Sequence, residues 1–328
     1  MSRVVTFGEI MLRLSTPGHQ RFAQAAHFDL HPGGAEANVA VALAQLGGAA
    51  EFVTRLPKHE LAQRCLAELR RYGVSVEHAA IGGERLGVYF VEHGASQRPS
   101  RIIYDRAHSA LAEADPGDFL WSKILAGASW FHWSGITPAL SASAAAITAE
   151  ACATAKRLGI TVSFDVNYRA KLWTPEEAGE VLAPLMSSVD VCVCGLGDAQ
   201  SVFGLAAADE ESAAAALRER FGFRMILMPQ RQSESASRTS WGATLYAEGR
   251  PFASRRHEIE IVDRLGAGDA LTAGLIFSLA HGDSPQIAVD FAVAASALKH
   301  TIPGDFNLVT LAEVEALAAG GDGGRVQR

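Results

Sequence analysis

Asp263-Arg264-Leu265-Gly266-Ala267-Gly268-Asp269 concentrates more potential chemistry than any other segment of this chain. Two glycines and a carboxylate open an apolar run (Ala270, Leu271, Ala273, Leu275, Ile276 and Leu279) that leaves little polar surface and predicts a buried helix. Upstream, residues 257–262 alternate polar and apolar, the period of a half-buried strand. A strand-to-helix turn of this kind presents first-turn N–H groups, and these together with the helix dipole favour an anion. The glycines let the backbone approach that anion closely. Asp269 beside a bound phosphate would repel it, but suits a base that deprotonates a hydroxyl attacking phosphorus. The bland alternative is a glycine-rich turn with Asp269 as a helix cap.

A second glycine pair lies near the other end of the chain. Pro32-Gly33-Gly34-Ala35-Glu36-Ala37-Asn38 runs into another apolar helix, residues 39–47. In this order the two segments resemble the paired signatures of the PfkB (ribokinase-type) carbohydrate kinases. The resemblance narrows to the 2-keto-3-deoxygluconate kinases through four further segments. These are Gly8-Glu9-Ile10-Met11-Leu12-Arg13-Leu14, Tyr104-Asp105-Arg106, Ser134-Gly135-Ile136-Thr137-Pro138-Ala139-Leu140 and Asp165-Val166-Asn167-Tyr168-Arg169-Ala170-Lys171-Leu172-Trp173.

The resemblance implies one ribokinase-like α/β unit over residues 1–328, with a largely parallel sheet, helices on both faces and a small β lid. It implies an ATP- and Mg²⁺-dependent kinase for a sugar acid, with Asp269 as general base and Gly266, Ala267 and Gly268 as the anion hole. Gly33, Gly34, Asn38, Tyr89, Tyr104, Arg106, Ile136 and Arg169 would then meet the substrate. Gly266, Gly268, Asp198 and His300 would serve the nucleotide, and Asp198 would hold magnesium through water. The arginines have a chemical reason of their own, since a guanidinium fork matches the carboxylate of a sugar acid with two charge-assisted bonds. Singly, each could equally form a surface salt bridge.

One segment departs from the family pattern. The family usually carries Asn-x-x-Glu where this chain has Gly195-Leu196-Gly197-Asp198. An amide is lost and a shorter carboxylate stands in. The alternative function is therefore a sugar-acid-binding protein with impaired nucleotide turnover. Other acceptors, keto-deoxygalactonate, fructose or ribose, also stay open.

These residues need a scaffold, and the apolar periodicity supplies one. Strands are predicted at 3–9, 51–56, 129–134, 161–166, 189–194 and 225–228, and helices at 36–46, 60–72, 141–157, 175–186, 210–221, 285–299 and 311–318. Such alternation argues for a parallel sheet covered on both faces. In the 60–72 helix, Leu61, Cys65, Leu69 and Tyr72 are expected on the buried face. Residues 11–32 and 86–106 lack helical period and are expected to form the lid, which in the family often pairs between subunits to give a dimer. The polar stretch after Met228 is expected to be mobile, and 320–328 a frayed tail. Trp130-Phe131-His132-Trp133 and Lys58-His59-Glu60 are read as core and helix start.

With 48% hydrophobic residues, the 328-residue chain can bury a large core. Its net charge of -7 gives no general reason for nucleic-acid or anionic-membrane binding, so any anion site must be local. No apolar run approaches the roughly 20 residues that span a bilayer, and no signal-peptide pattern is present, so a cytoplasmic enzyme is expected. Four cysteines in so long a chain make no disulfide framework, and the Cys192-x-Cys194 pair lacks partners for zinc.

Overall fold

The computed structural model describes residues 3–321, so residues 322–328 of the expected tail lie outside it. From the N-terminus the strands are β1 Arg3–Phe7, β2 Met11–Ser15, β3 Asp29–Gly33, β4 Ala50–Val53, β5 Arg55–Leu56, β6 Ala80–Ile81, β7 Val88–Glu92 and β8 Arg101–Asp105. They continue as β9 Ala128–Ser134, β10 Thr161–Asp165, β11 Val191–Val193, β12 Met225–Ser233, β13 Arg238–Ala247, β14 Arg250–Ala253 and β15 His257–Glu260. The helices are α1 Ala35–Gln45, α2 Glu60–Arg71, α3 Trp121–Ile124, α4 Ala142–Arg157, α5 Pro175–Leu182, α6 Leu196–Ser201, α7 Glu210–Phe221, α8 Ala267–Ala280, α9 Pro285–Lys299 and α10 Leu311–Ala318.

The main sheet runs β4-β1-β9-β10-β11-β12-β13-β14, with β15 also paired to β13. Pairs from β4 through β12 are parallel, and β12 onward is antiparallel. β1 has β4 on one side and β9 on the other, so the strand order reverses there. Such a reversal opens a crevice beyond the strand C-termini, where ligands bind in open α/β sheets.

Each face of the sheet buries its own core. Val4, Trp130, Leu227, Trp241 and Leu245 face α1, α2, α8 and α9, whereas Phe7, Phe131, Trp133, Phe164 and Ile226 face α4, α5 and α7. The split follows strand parity, since successive side chains point to opposite faces. It places the Trp130–Trp133 aromatics in the core. The Trp130 indole donates to Ser163 Oγ at 2.8 Å, and burial holds the His132 pKa down at about 3. His59 caps α2 by accepting the Ala62 N–H at 3.2 Å.

A second sheet, β3-β2-β7-β8, is built from the two segments that lacked helical period, the ones expected to form a lid. The structure corrects three finer expectations. α2 buries Ala62, Cys65, Leu66 and Leu69, while Leu61 is 50% exposed, because the buried stripe is centred one residue further on. The 51–56 strand breaks at Thr54, after which β5 leaves the main sheet to pair with β6. The polar stretch after Met228 is not loose: β12 runs on to Ser233 and pairs antiparallel with β13, a strand the periodicity missed. The hairpin tip docks on the lid, where Ala236 N–H donates to the Ser96 carbonyl at 2.7 Å.

Phe164 is fully buried with its ring centroid 4.3 Å from that of Trp133. Phe164→Ala should lower unfolding free energy by about 3–5 kcal/mol, read from urea denaturation.

Candidate active site

The crevice beyond β1 gathers side chains from both signatures. Its lining includes Glu9, Gly34, Glu36, Asn38, Tyr89, Tyr104, Arg106, Ile136, Arg169, Gly266, Asp269 and Asp305. Local geometry explains why the two glycine turns meet here. A Cβ on Gly34 would overlap the Glu9 carbonyl oxygen, and one on Gly266 would overlap that of Asp305. Gly266 also adopts φ 81°, the left-handed region that glycine enters without strain. Each turn therefore lets a helix start hard against a neighbouring backbone.

Asn38 joins the two. It lies in the first turns of α1, its Oδ1 accepts the Gly34 N–H at 3.3 Å, and its Nδ2 donates to Asp269 Oδ2 at 2.7 Å. Burial raises the Asp269 pKa to about 6, although the Asn38 bond and Arg169 pull it down; Asp305 pushes it further up. Glu36, two residues earlier on α1, is buried at the crevice. Its Oε1 accepts from Ser134 N–H (3.0 Å), Ser134 Oγ (2.6 Å) and Thr137 Oγ (3.0 Å), which ties α1 to the Ile136 loop after β9. Burial lifts its pKa to about 7 against those bonds.

No side chain caps α8. Gly268 is exposed, with open space where a Cβ would sit. Ala267 differs from the expected anion hole, since its N–H turns back to the Arg264 carbonyl at 3.3 Å.

Cations collect on the lid side. Arg106 is buried and pairs with Glu9, yet its Nε and Glu9 Oε1 have no partner among the described residues. Arg169 is exposed after β10 and makes only carbonyl contacts, to Asn167 at 3.3 Å and Tyr168 at 3.1 Å. An adjoining cavity of about 330 Å³ shares Tyr104, Arg106 and Arg169 and adds Lys171. The Lys171 ammonium sits 5.7 Å from the Tyr104 ring centroid and donates to the Ile102 carbonyl at 2.7 Å.

The remaining expected residues lie apart from this lining. Gly33 faces the Tyr89 hydroxyl and Asp305 carboxylate beneath it, and a Cβ there would sit 2.6 Å from Asp305 Oδ1. His300 is buried: its Nδ1 donates to the Ser296 carbonyl at 2.8 Å, its ring lies 5.4 Å from that of Trp241, and burial lowers its pKa to about 4. Asp198 stands in the first turn of α6, half-buried, its pKa raised by burial and lowered by Arg169. Gly195 and Gly197 around it leave open space. Asp165, at the end of β10, is raised to about 8 by burial and then by Asp269, with Arg169 opposing.

Residues that line the crevice or the adjoining cavity without having been singled out by motif reading are Glu9, Glu36 and Lys171. Glu9, Glu36 and Lys171 lay inside the quoted segments, so a count of charged residues within each motif would have flagged them.

This sheet, crevice and lid define a carbohydrate kinase with a ribokinase-like core. Residues 1–308 match the pfkB family carbohydrate kinase profile, and the chain belongs to that family. It is 37% identical to a 2-dehydro-3-deoxygalactonokinase of Haloferax volcanii over 98% of both chains. It is 32% identical to a 2-dehydro-3-deoxygluconokinase of Thermoproteus tenax, over 93% of this chain and 90% of that one. The crystal structure of a 2-dehydro-3-deoxygluconokinase from Thermotoga maritima superposes with a TM-score of 0.95 at 47% identity, covering 97% and 98% of the two chains. No helix among the described residues is long and apolar enough to cross a membrane.

Removing the Asn38 amide removes a bond that favours the Asp269 carboxylate. In Asn38→Ala the Asp269 pKa should therefore rise above its value of about 6, which carbon-detected NMR titration of the carboxyl would show. A fall would contradict this assignment.

Proposed function

We propose that this kinase transfers the γ-phosphoryl group of ATP to the terminal hydroxyl of 2-keto-3-deoxygluconate or its galacto epimer. The observation that carries the reading is a charge arrangement. Arg106, Arg169 and Lys171 stand on the lid side of the crevice, while the raised carboxyl of Asp269 stands at the start of α8. A neutral sugar has no use for three cations, whereas a sugar acid does. The names of the Haloferax, Thermoproteus and Thermotoga relatives point the same way.

Arg169 and Arg106 hold the acceptor carboxylate, with Lys171 adding charge beneath Tyr104. The unpartnered Glu9 Oε1 accepts an acceptor hydroxyl. Asp269 takes the proton from the attacking hydroxyl, and its raised pKa brings it closer to the operating pH, as a general base requires. The open first turn of α8, with Gly268 N–H and the helix dipole, stabilises charge on the transferred group.

The residues present fit a magnesium ion carried in with the nucleotide. Asp165 ends β10 and Asp198 stands in the first turn of α6, just after the neighbouring strand β11, and Mg²⁺ binds through one or two carboxylates while keeping waters and phosphate oxygens. Bound there, the ion would neutralise phosphate charge. Lid closure would exclude water and so suppress hydrolysis of the donor.

ADP release with Mg-ATP, measured across 2-keto-3-deoxygluconate, its galacto epimer, fructose, ribose and adenosine, should be confined to the two keto acids. Turnover on neutral sugars would sink the role given to the cations. Keto-acid binding without turnover would instead indicate that the open Gly195–Asp198 segment has disabled the nucleotide half.

Asp269→Asn should lower kcat by about 10²–10⁴-fold while the keto acid still binds in calorimetry. Because the base acts deprotonated, wild-type kcat should fall as pH drops through the Asp269 pKa of about 6. A pH-independent kcat between 5 and 8, roughly the histidine range, would remove Asp269 from that role.

A further inference from the structure

One fully buried cation links the lid to the α8 turn without lining the crevice. Arg13 lies on β2 and is 1% exposed. Its Nη1 donates to Asp305 Oδ2 and its Nη2 to Asp263 Oδ2, both at 2.6 Å. Its Nε donates to Ser15 Oγ at 2.6 Å, and His93 Nε2 lies 3.0 Å from Nη2.

Each aspartate serves a different side of the site. Asp305 lines the crevice, and its other oxygen accepts the Tyr89 hydroxyl from β7. Asp263 Oδ1 accepts the Leu265 N–H at 3.1 Å, one residue before Gly266, and Oδ2 also accepts the Gly304 N–H at 3.0 Å. Gly266 in turn lies against the Asp305 carbonyl, leaving no room for a Cβ. Lid strand, α8 turn and the loop after α9 thus converge on one guanidinium.

We propose that Arg13 is a positioning residue for phosphoryl transfer, fixing Tyr89 and Asp305 on the acceptor side relative to the Leu265–Gly266 turn on the donor side. The proposal rests on the kinase reading above. Two buried carboxylates facing one another need a cation between them. A planar guanidinium serves both at once, as a single ammonium does not. Removing it leaves uncompensated buried charge, and the two segments it joins are free to shift. A displacement of about 1 Å at a reacting centre costs on the order of 10²-fold in rate.

The test compares wild type, Arg13→Gln, Arg13→Lys, Asp263→Asn and the Arg13→Gln/Asp263→Asn double variant. Thermal unfolding and near-ultraviolet circular dichroism identify the folded ones. In folded Arg13→Gln, kcat should fall about 100-fold, while KM for Mg-ATP and for the acceptor changes far less. Arg13→Lys should recover part of that loss. Asp263→Asn keeps an acceptor for the Leu265 N–H but weakens the pair, so it should also lower kcat, and less so in the Arg13→Gln background. If Arg13→Gln does not fold, Asp263→Asn carries the same expectation alone. A folded Arg13→Gln or Asp263→Asn with wild-type kcat would overturn the proposal, as would fully additive losses in the double variant. Wild-type protein with no turnover on any acceptor would overturn both this inference and the proposed function. Normal turnover that is indifferent to Arg13 would overturn this one alone.

Discussion

The Asn38–Asp269 hydrogen bond, at 2.7 Å, is the contact on which the site depends. It joins two helices from opposite ends of the chain whose starts must converge on one point. Convergence requires α1 and α8 to lie side by side beneath the same sheet face, and small residues allow it. Ala37, Ala40, Ala270 and Ala273 are almost fully buried, and Gly274 lies so close to α9 that a Cβ would come within 2.8 Å of the Ala292 Cα. Dense packing leaves little freedom for the helix starts to separate. The Asp269 carboxyl and the Gly33–Gly34 turn are therefore held by the core rather than by a loop.

Burial has an electrostatic consequence at the same place. Desolvation raises Asp269 to about 6, Glu36 to about 7 and Asp165 to about 8. Asn38 and Arg169 oppose it at Asp269, Ser134 and Thr137 at Glu36, and Arg169 at Asp165. A chain of net charge -7 thus places its cations locally. Arg13 answers Asp263 and Asp305, and Arg106 answers Glu9. Among the described residues, Arg169 and Lys171 pair with no carboxylate: both donate to backbone carbonyls, and Lys171 also lies over the Tyr104 ring. Cations without carboxylate partners beside a crevice are where an acidic ligand is best received.

Gly195 and Gly197, at the start of α6, leave open space where a Cβ would sit. The β12–β13 hairpin docks on the loop between β7 and β8 through Ser96, Ala236 and Ser237. The second sheet and the β12–β13 hairpin are therefore joined by hydrogen bonds, and Arg13 joins the same sheet to the α8 turn.

Local features were legible in the sequence because they depend on near neighbours. Apolar periodicity marked the alternating strands and helices, the missing period at 11–32 and 86–106 marked the segments that build the second sheet, and the glycine pairs marked the two helix starts. The family signatures then pointed to the residues that line the crevice. The pattern failed where pairing overrode composition: polar residues 229–233 join a strand because β13 satisfies their backbone groups. It also failed where partners are far apart in the chain. Nothing near Arg13 announces Asp263 or Asp305, and nothing near His300 announces that Trp241 covers it. The sequence by itself determined which segments become strands, helices and turns, since backbone sterics and hydrophobic period act over a few residues. Only the tertiary structure decided which charges meet, because burial and ion pairing exist only once distant segments share one interior.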